Sequence, residues 1–250
     1  MAERNSERAD ALLVERGLCD SREQAKRLIM AGEVLCGTER VAKPSSRIRV
    51  DADLSVRERP RYVGRGGLKL EGALQEFALD PTGLICLDLG SSTGGFTDCL
   101  LQHGASRVHA VDVGTNQLAW RLRQDDRVSL HEQTDARSID SELLGGHIDL
   151  CVMDASFISA RLLLPVLRAV LPAKTPLLLL VKPQFEVGKE HIGKGGLVSD
   201  PERIKDAVDA VSACAADLGF RENARVASRI HGARAGNTEV FLLVDGHNEC

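Results

Sequence analysis

The sequence has few aromatic residues, no long apolar run and no closely paired cysteines. Aromatic side chains make up 3% of the 250 residues. This argues against a protein that reads RNA by stacking many bases, and leaves open one that contacts sugars, phosphates and shape. The longest apolar run, around Leu177–Val181, is far too short to span a bilayer. The sequence therefore predicts no membrane partner.

The cysteines predict a reducing compartment. There are seven of them, and none belongs to a C-x-x-C pair. Cys86 and Cys151 lie within apolar runs, as small buried thiols do, whereas a disulfide framework or a zinc site needs regular spacings. The charged N-terminus also lacks the apolar core of a secretory signal. We therefore expect a cytoplasmic protein without a bound metal.

The overall charge weighs against a nucleic-acid partner without excluding one. The formal net charge is -4 and the sequence pI is about 6.0, whereas nucleic-acid-binding domains are usually basic. Net charge averages over all faces of a protein, however, and an enzyme needs only one basic surface to attract RNA.

The first 60 residues have the pattern of a small α+β module. Residues 8–16 predict a short helix, and a second helix begins at Asp20 or Ser21 and ends at Gly32. Short strands follow at 34–36 and 48–50. The basic, glycine-rich stretch that comes next reads as a linker. The predicted boundaries are 1–60 for the first domain, 61–67 for the linker and 68–250 for the second domain.

The second domain alternates strands and helices. Continuous Val/Leu runs separated by helices indicate an α/β fold with a mostly parallel, Rossmann-type sheet covered on both faces. The last two strands are close in sequence, which predicts an antiparallel final strand. The predicted strands are Leu84–Leu89, Val108–Val113, Val128–His131, Ile148–Met153, Leu177–Val181, Ala224–Ile230 and Glu239–Val244, and the predicted helices are Leu68–Ala78, Phe96–His103, Ile158–Leu171 and Pro201–Leu218.

A glycine-rich loop follows the first of these strands. It reads D-x-G-x-x-x-G-G-F, unlike the dinucleotide fingerprint G-x-G-x-x-G, and it lacks a P-loop lysine. This suits the zwitterionic methionine end of S-adenosylmethionine better than a pyrophosphate. The alternative is that the acidic residues only cap loops. The candidate cofactor-binding residues are Asp88, Gly90, Ser91, Ser92, Thr93, Gly94, Gly95 and Phe96, with Asp112 for the ribose hydroxyls and Asp135 for the adenine amino group.

Four charged residues are candidates for the reactive centre. Asp154 and Lys182 each end a strand at the edge where the cofactor is expected, Lys69 lies near the start of the domain, and Glu239 begins the last strand. A cationic lysine would stabilise the negative charge that develops on a ribose 2′-oxygen, whereas a neutral lysine would take the proton of the 2′-hydroxyl. The sequence leaves both charge states of the lysine open. We expect Asp154 to orient Lys182, and Lys69 and Glu239 to hold the ribose. The alternative is ordinary surface ion pairing.

Other methyl acceptors fit the sequence less well. Base N-methylation favours an Asn/Asp-Pro-Pro-Tyr/Phe loop, whereas the loop after the fourth strand reads Asp154-Ala155-Ser156-Phe157 and has no proline. Methylation at a pyrimidine C5 needs a cysteine nucleophile in a loop, and no cysteine is so placed.

Several stretches of the sequence resemble the TlyA family, which comprises haemolysin A-like proteins and 16S/23S ribosomal RNA (cytidine-2′-O)-methyltransferases. The resemblance rests on residues 62–70, 88–96, 154–159 and 181–186, and on an N-terminal stretch similar to the alpha-L RNA-binding module. It implies an FtsJ-type methyltransferase domain, S-adenosylmethionine as cofactor, and ribosomal RNA or ribosomal subunits as partner. We expect a monomer, because nothing in the sequence demands more. The implied catalytic tetrad is Lys69, Asp154, Lys182 and Glu239, and the implied RNA-binding residues are Arg22, Lys26, Arg27, Lys43, Arg47 and Arg65.

Two other hypotheses belong to different classes. A pore-forming haemolysin is suggested by the family name, but the sequence offers no apolar helix and no amphipathic hairpin long enough for a barrel. An RNA-binding protein that keeps a silent methyltransferase fold is the second alternative, and the intact tetrad argues against it.

Overall fold

The chain forms two compact units, Met1–Pro60 and Arg61–Cys250. The computed structural model describes residues 6–57, 60–172, 174–232 and 235–246. Cys250, one of the predicted free thiols, lies outside the described residues. The elements of the first unit are β1 (Ser6–Arg8), α1 (Ala9–Glu15), α2 (Arg22–Met30), β2 (Val34–Cys36), β3 (Glu39–Arg40), β4 (Arg47–Arg49) and β5 (Leu54–Val56).

The first unit packs its two helices over two small antiparallel sheets, one with the order β1-β4 and the other β3-β2-β5. Leu12, Leu13, Ile29 and Val34 are buried in its core. Ser21 is the N-cap of α2, because its side chain accepts a hydrogen bond from the Gln24 N–H at 3.2 Å. Of the two predicted caps, the structure therefore selects the serine.

A fully buried carboxylate holds the start of this unit. Asp10 is 0% exposed and pairs with Arg8 at 2.9 Å and with Arg22 at 3.2 Å. The hydrogen bond from Arg8 is the main reason why the pKa of Asp10 falls to about 2. The charge of Arg22 is therefore partly engaged within the unit.

The second unit is an α/β sandwich around a seven-stranded sheet with the order β11-β12-β10-β9-β6-β7-β8. Pairs within β10-β9-β6-β7-β8 are parallel, and β12 runs antiparallel to both neighbours, which confirms the predicted fold class. The elements are α3 (Gly66–Glu76), β6 (Ile85–Leu89), α4 (Gly95–Gln102), β7 (Arg107–Val111), α5 (Trp120–Arg123), β8 (Val128–His131), β9 (Leu150–Met153), α6 (Leu164–Val170), β10 (Pro176–Val181), α7 (Pro201–Asp217), β11 (Phe220–Ala227) and β12 (Val240–Gly246).

Both faces of this sheet are buried. Leu177 and Leu179 of β10 belong to one core cluster, whereas Leu178 and Leu180 belong to the other. Successive side chains of a strand point to opposite faces, so a continuous apolar run fits a strand that is covered on both sides. The chain order reverses between β6 and β9, and this opens a crevice at the carboxyl ends of the strands.

The helix predicted over Ile158–Leu171 is interrupted. The structure has a 3-10 turn at Ala160–Leu162, followed by α6, with Pro165 in the first turn of the new helix. A proline ring clashes with the carbonyl four residues earlier, here that of Arg161, so one continuous helix cannot pass through this position.

The segment predicted as a linker, 61–67, belongs to the second unit. Tyr62 is 2% exposed and packs in its core, and the Val63 N–H donates to Asp98 at 2.8 Å. Gly67 permits this packing, because a Cβ at that position would lie 2.3 Å from Cγ of Tyr62. Gly67 therefore serves close packing inside the second unit.

Two stacked histidines link β7 to β8. The rings of His109 and His131 lie 5.5 Å apart and 5° from parallel, and His109 is 6% exposed. Burial, with a smaller effect from His131, lowers the pKa of His109 to about 4.

Acid is expected to destabilise the protein through His109. Its pKa is depressed in the folded state, so the unfolded chain takes up a proton first as the pH falls below about 6.5, and stability is lost down to about pH 4. The free energy of unfolding is measured by urea titration of the native protein and of His109→Phe, each at pH 7.5 and at pH 5.0. The variant should gain about 2 kcal/mol relative to the native protein over this range; a constant difference would contradict the expectation.

Candidate active site

The largest of the described cavities lies at the carboxyl ends of the central strands. It has a volume of about 470 Å³ and is lined by residues that follow β6, β7, β8 and β9. The glycine-rich loop after β6 forms one wall. The candidate site residues that line this cavity are Gly90, Ser92, Asp112, Asp135 and Asp154.

Gly90 is required by its backbone and by its neighbour. Its φ is +90°, and a Cβ there would lie 2.9 Å from the carbonyl oxygen of Asp154. A side chain would thus force apart the loops after β6 and β9, which border the cavity. The cradle exists because this position has no side chain.

Gly90→Ala is therefore expected to weaken cofactor binding by at least about tenfold, since the added methyl group collides with backbone and the positive φ adds strain. Isothermal titration with S-adenosylmethionine measures this. Gly83→Ala is the matched control, because Gly83 also has a positive φ (+77°) but its Cβ would meet nothing within 4 Å. An equal loss of affinity in both variants would show that backbone strain alone, and not the cradle, is responsible.

Asp112 presents a fixed carboxylate to the large cavity. Its two oxygens accept hydrogen bonds from the Ser92 N–H at 2.8 Å and the Gly114 N–H at 2.7 Å. A carboxylate has about four acceptor positions. Asp112 therefore keeps capacity for a pair of ligand hydroxyls, as its predicted role requires.

Asp135 also lines this cavity, but it is already paired. It lies 2.5 Å from Arg137 and accepts the Arg137 backbone N–H at 2.9 Å. The side-chain hydrogen bond from Arg137 is the main reason why its pKa falls to about 2. An amino group would have to share this carboxylate with Arg137.

Asp88 lies beneath the loop and is absent from the lining of the described cavities. It is 0% exposed, and the Thr97 hydroxyl donates to it at 2.6 Å. Burial raises its pKa to about 7. Its other oxygen, Oδ1, has no hydrogen-bond partner among the described residues, and a contact between Asp88 and the cofactor stays a prediction.

The rest of the glycine-rich loop borders a second, smaller cavity of about 200 Å³. The exception is Gly94, whose Cβ would run into the side chains of Leu122 and Leu118, so it serves interior packing. The Ser91 hydroxyl oxygen is buried without a hydrogen-bond partner among the described residues. The predicted residues that line this cavity are Gly90, Ser91, Ser92, Thr93, Gly95 and Phe96, with Arg65 and Asp154 opposite.

These two cavities fit S-adenosylmethionine. They adjoin at Gly90, Ser92 and Asp154, so one ligand can occupy both. The larger has room and an acceptor carboxylate for a nucleoside, and the smaller offers backbone and hydroxyl groups for an amino-acid end. The unpaired Ser91 hydroxyl is consistent with a polar ligand group.

The tetrad residues form two ion pairs. Lys69 Nζ lies 2.5 Å from Glu239 Oε2, and Lys182 Nζ lies 2.5 Å from Asp154 Oδ1. Three of the four, all except Asp154, line a third cavity of about 390 Å³. Both lysines are 9% exposed and Glu239 is 3% exposed. The charges are largely removed from water, and each has an opposite partner.

Two residues near the tetrad were missed by sequence reasoning. The Ser156 hydroxyl accepts a hydrogen bond from Lys182 at 2.7 Å. Glu186 accepts hydrogen bonds from the Ser159 hydroxyl and the Ala160 N–H, both at 2.6 Å, and so ties the loop after β9 to the loop after β10. Both residues lie inside strings already noted around Asp154 and Lys182, and that proximity was the available signal.

The candidate RNA-binding residues are all exposed. Within the first unit, Arg22 and Lys26 are four residues apart on α2 and so share one face of the helix. Arg47 donates to the Ser6 carbonyl at 3.0 Å. In the second unit, Arg65 donates to the His231 carbonyl at 3.0 Å beside the small cavity. The exposed set is Arg22, Lys26, Arg27, Lys43, Arg47 and Arg65.

The sheet order, the reversed strand β12, the glycine-rich loop and the acidic end of β7 together define a Rossmann-type methyltransferase. An S-adenosylmethionine-dependent methyltransferase from Mesorhizobium loti shares this fold, with a TM-score of 0.52 at 13% identity over 73% of this chain and all of that chain. The FtsJ-like methyltransferase family matches residues 62–246, and the S4 domain matches residues 7–54. The chain belongs to the FtsJ-like methyltransferases, carries an S4 domain, and uses S-adenosylmethionine.

Similar proteins cover nearly the whole chain. The 16S/23S rRNA (cytidine-2′-O)-methyltransferase TlyA of Mycobacterium tuberculosis is 46% identical over 94% of this chain and 88% of its own length. Hemolysin A of Brachyspira hyodysenteriae is 38% identical over 93% of this chain and 97% of its own length. A solved structure from Streptococcus thermophilus, described as a hemolysin, has a TM-score of 0.74 at 43% identity and covers 98% of this chain and 90% of that chain.

Across the described ranges, no helix is both long and apolar enough to cross a bilayer. The same ranges contain no grouping of three or more His, Cys, Asp or Glu side chains that could hold a metal ion.

Proposed function

We propose that this protein transfers a methyl group from S-adenosylmethionine to the ribose 2′-hydroxyl of a cytidine in ribosomal RNA. The observation that carries the proposal is the Lys182–Asp154 pair, which lies where the cofactor cavities meet the cavity lined by Lys69 and Glu239. The similarity to TlyA enzymes supports the same reaction.

The cofactor is proposed to lie across the two adjoining cavities, with Asp112 holding the nucleoside and the loop from Gly90 to Phe96 holding the amino-acid end. When bound, S-adenosylmethionine supplies the electrophilic methyl group. Asp88 supports the loop above it through its hydrogen bond with Thr97. Asp135 contributes together with Arg137, whose guanidinium partly neutralises its charge.

The acceptor ribose is proposed to enter the third cavity. The Lys69–Glu239 pair presents a donor and an acceptor there, which suits the hydroxyls of a sugar. As the 2′-oxygen bonds to the methyl carbon, the methyl–sulfur bond breaks and the hydroxyl proton passes to water. Lys182 stabilises the negative charge that develops on the 2′-oxygen, and Asp154 keeps the ammonium group in place. Because Lys182 is 9% exposed, this stabilisation is less weakened by water than at the surface.

The S4 domain is proposed to hold the RNA. Arg22, Lys26, Arg27, Lys43 and Arg47 of this domain, with Arg65 of the second unit, would contact phosphates, which give affinity and register rather than base specificity. An enzyme with ribosomal subunits as substrate acts in the cytoplasm, and we propose that it works there as a monomer.

Transfer of tritiated methyl groups to purified 30S and 50S subunits that lack the modification tests the function. After digestion, ribose-methylated and base-methylated nucleosides are separated. We expect labelled 2′-O-methylcytidine. Label in a base, or no label in either subunit despite saturable cofactor binding, would refute the proposal.

A further inference from the structure

The loop after β9 places a hydroxyl at the junction of the active site. Ser156 lies two residues beyond Asp154, and among the described residues it alone lines all three cavities. It is therefore next to the proposed cofactor site and next to the proposed ribose site. Neither the tetrad nor the glycine-rich loop includes it.

Ser156 and Asp154 hold the same ammonium group. Lys182 Nζ lies 2.7 Å from Ser156 Oγ, to which it donates, and 2.5 Å from Asp154 Oδ1. An ammonium group has three N–H donors. The hydrogen bond to Ser156 fixes the direction of one of them and therefore of the other two, while the Asp154 carboxylate lies against the group as an ion pair. An N–H is thus left in a defined direction for a further acceptor.

The loop that carries Ser156 is held in one conformation. The next residue, Phe157, has a φ of +65°, a left-handed backbone that is costly for a bulky side chain and persists only where the surroundings impose it. Glu186 supplies this restraint, because its buried carboxylate binds Ser159 and the Ala160 N–H just beyond the turn. The position of the Ser156 hydroxyl is therefore set before any substrate binds.

We propose that Ser156 is a positioning residue, which orients the Lys182 ammonium group so that one of its remaining N–H groups points at the ribose 2′-oxygen. This rests on the proposed function. With Asp154 as its single partner the ammonium group could rotate about the Cε–Nζ bond, and the N–H directed at the oxyanion would be lost for part of the time. Preorganised donors stabilise developing charge best because they need no reorientation during the reaction.

Single-turnover methyl transfer separates this role from binding. Ser156→Ala should lower the rate at saturating subunit and cofactor by about 10- to 30-fold, as expected for a hydrogen bond to a charged group. The Kd for cofactor and the KM for subunit should change less than about threefold. Ser156→Thr keeps a hydroxyl and should recover most of the rate, whereas Ser156→Cys, a weak acceptor, should resemble alanine.

The control is Ser106→Ala, which also removes an exposed hydroxyl. Ser106 donates to the Leu84 carbonyl at 3.0 Å at the amino end of β6 and lines none of the described cavities, so its rate should equal that of the native protein. A native rate in Ser156→Ala overturns the proposal. So does a loss seen in cofactor affinity instead of rate, since Ser156 would then be a binding residue.

A second readout needs no RNA. The Lys182 ammonium signal in a ¹H–¹⁵N spectrum is identified by its absence from Lys182→Ala, and its proton exchange with water is measured in the cofactor-bound protein. Ser156→Ala should raise the exchange rate at least about fivefold because one hydrogen bond is lost. Unchanged exchange would overturn the proposal even if methylation fails for another reason, whereas faster exchange without methylation of any subunit would refute the proposed function alone.

Discussion

Lys182→Ala is expected to reduce methyl transfer by on the order of 10³-fold or more while cofactor affinity stays within about threefold of the native value. The ammonium group is the charge nearest Asp154 at the meeting point of the cavities. Its removal leaves the developing oxyanion without a cationic partner, whereas Lys182 does not line the two cavities proposed for the cofactor. Single-turnover labelling of subunits and calorimetric cofactor titration measure the two effects.

Unfolding is not expected to explain this loss. The Asp154 side chain is 21% exposed, so water can solvate its carboxylate when the lysine is absent. Lys205→Ala is the control, because Lys205 pairs with Asp209 on the surface of α7. Full activity of Lys182→Ala would refute the mechanism. Thermal melting of the native protein and the two variants would detect a folding defect.

Deletion of residues 1–60 is expected to weaken RNA binding by about 100-fold and to leave cofactor binding unchanged. The deleted unit carries five of the six candidate phosphate contacts, and loss of several such contacts reduces affinity by orders of magnitude. The remaining unit has its own two core clusters and all three cavities. Filter binding with subunit RNA at two salt concentrations measures the loss and the smaller salt dependence.

A full-length variant checks the same point without truncation. Lys26→Ala/Arg27→Ala/Lys43→Ala removes three exposed cations and should weaken binding by about tenfold or more. Arg49→Ala is the matched control, since Arg49 is exposed but already pairs with Asp51 at 2.6 Å. If the deletion leaves RNA affinity unchanged, the S4 domain is not the RNA-holding part.

Much of the fold could be predicted because local chemistry encodes it. The Val/Leu runs, the glycines and the capping residues act over a few neighbours, so β8 was predicted with its observed bounds and β10 within one residue. Asp154 and Lys182 were predicted to share one edge because the carboxyl ends of parallel strands meet there. That inference needs only strand direction and no knowledge of packing.

Other features depended on packing. Pro165, in the first turn of α6, divides the segment predicted as one helix. Asp88, a candidate cofactor-binding residue, is completely buried and accepts a hydrogen bond from Thr97, which the sequence pattern did not indicate. The segment 61–67, predicted as a linker, belongs to the second unit because Tyr62 packs in its core. The break at Pro165 is a local steric effect, whereas for Asp88 and Tyr62 packing against distant parts of the chain outweighed the local signal.

The sequence by itself determined the alternation of strands and helices, the glycine-rich loop and the residue types of the tetrad. Only the tertiary structure decided the partners: Lys69 with Glu239, 170 residues away, and Lys182 with Ser156, 26 residues away. The physical reason is that propensity and periodicity act over one or two turns of chain. Which distant side chains meet depends instead on the order in which the strands assemble and on the burial that holds them there.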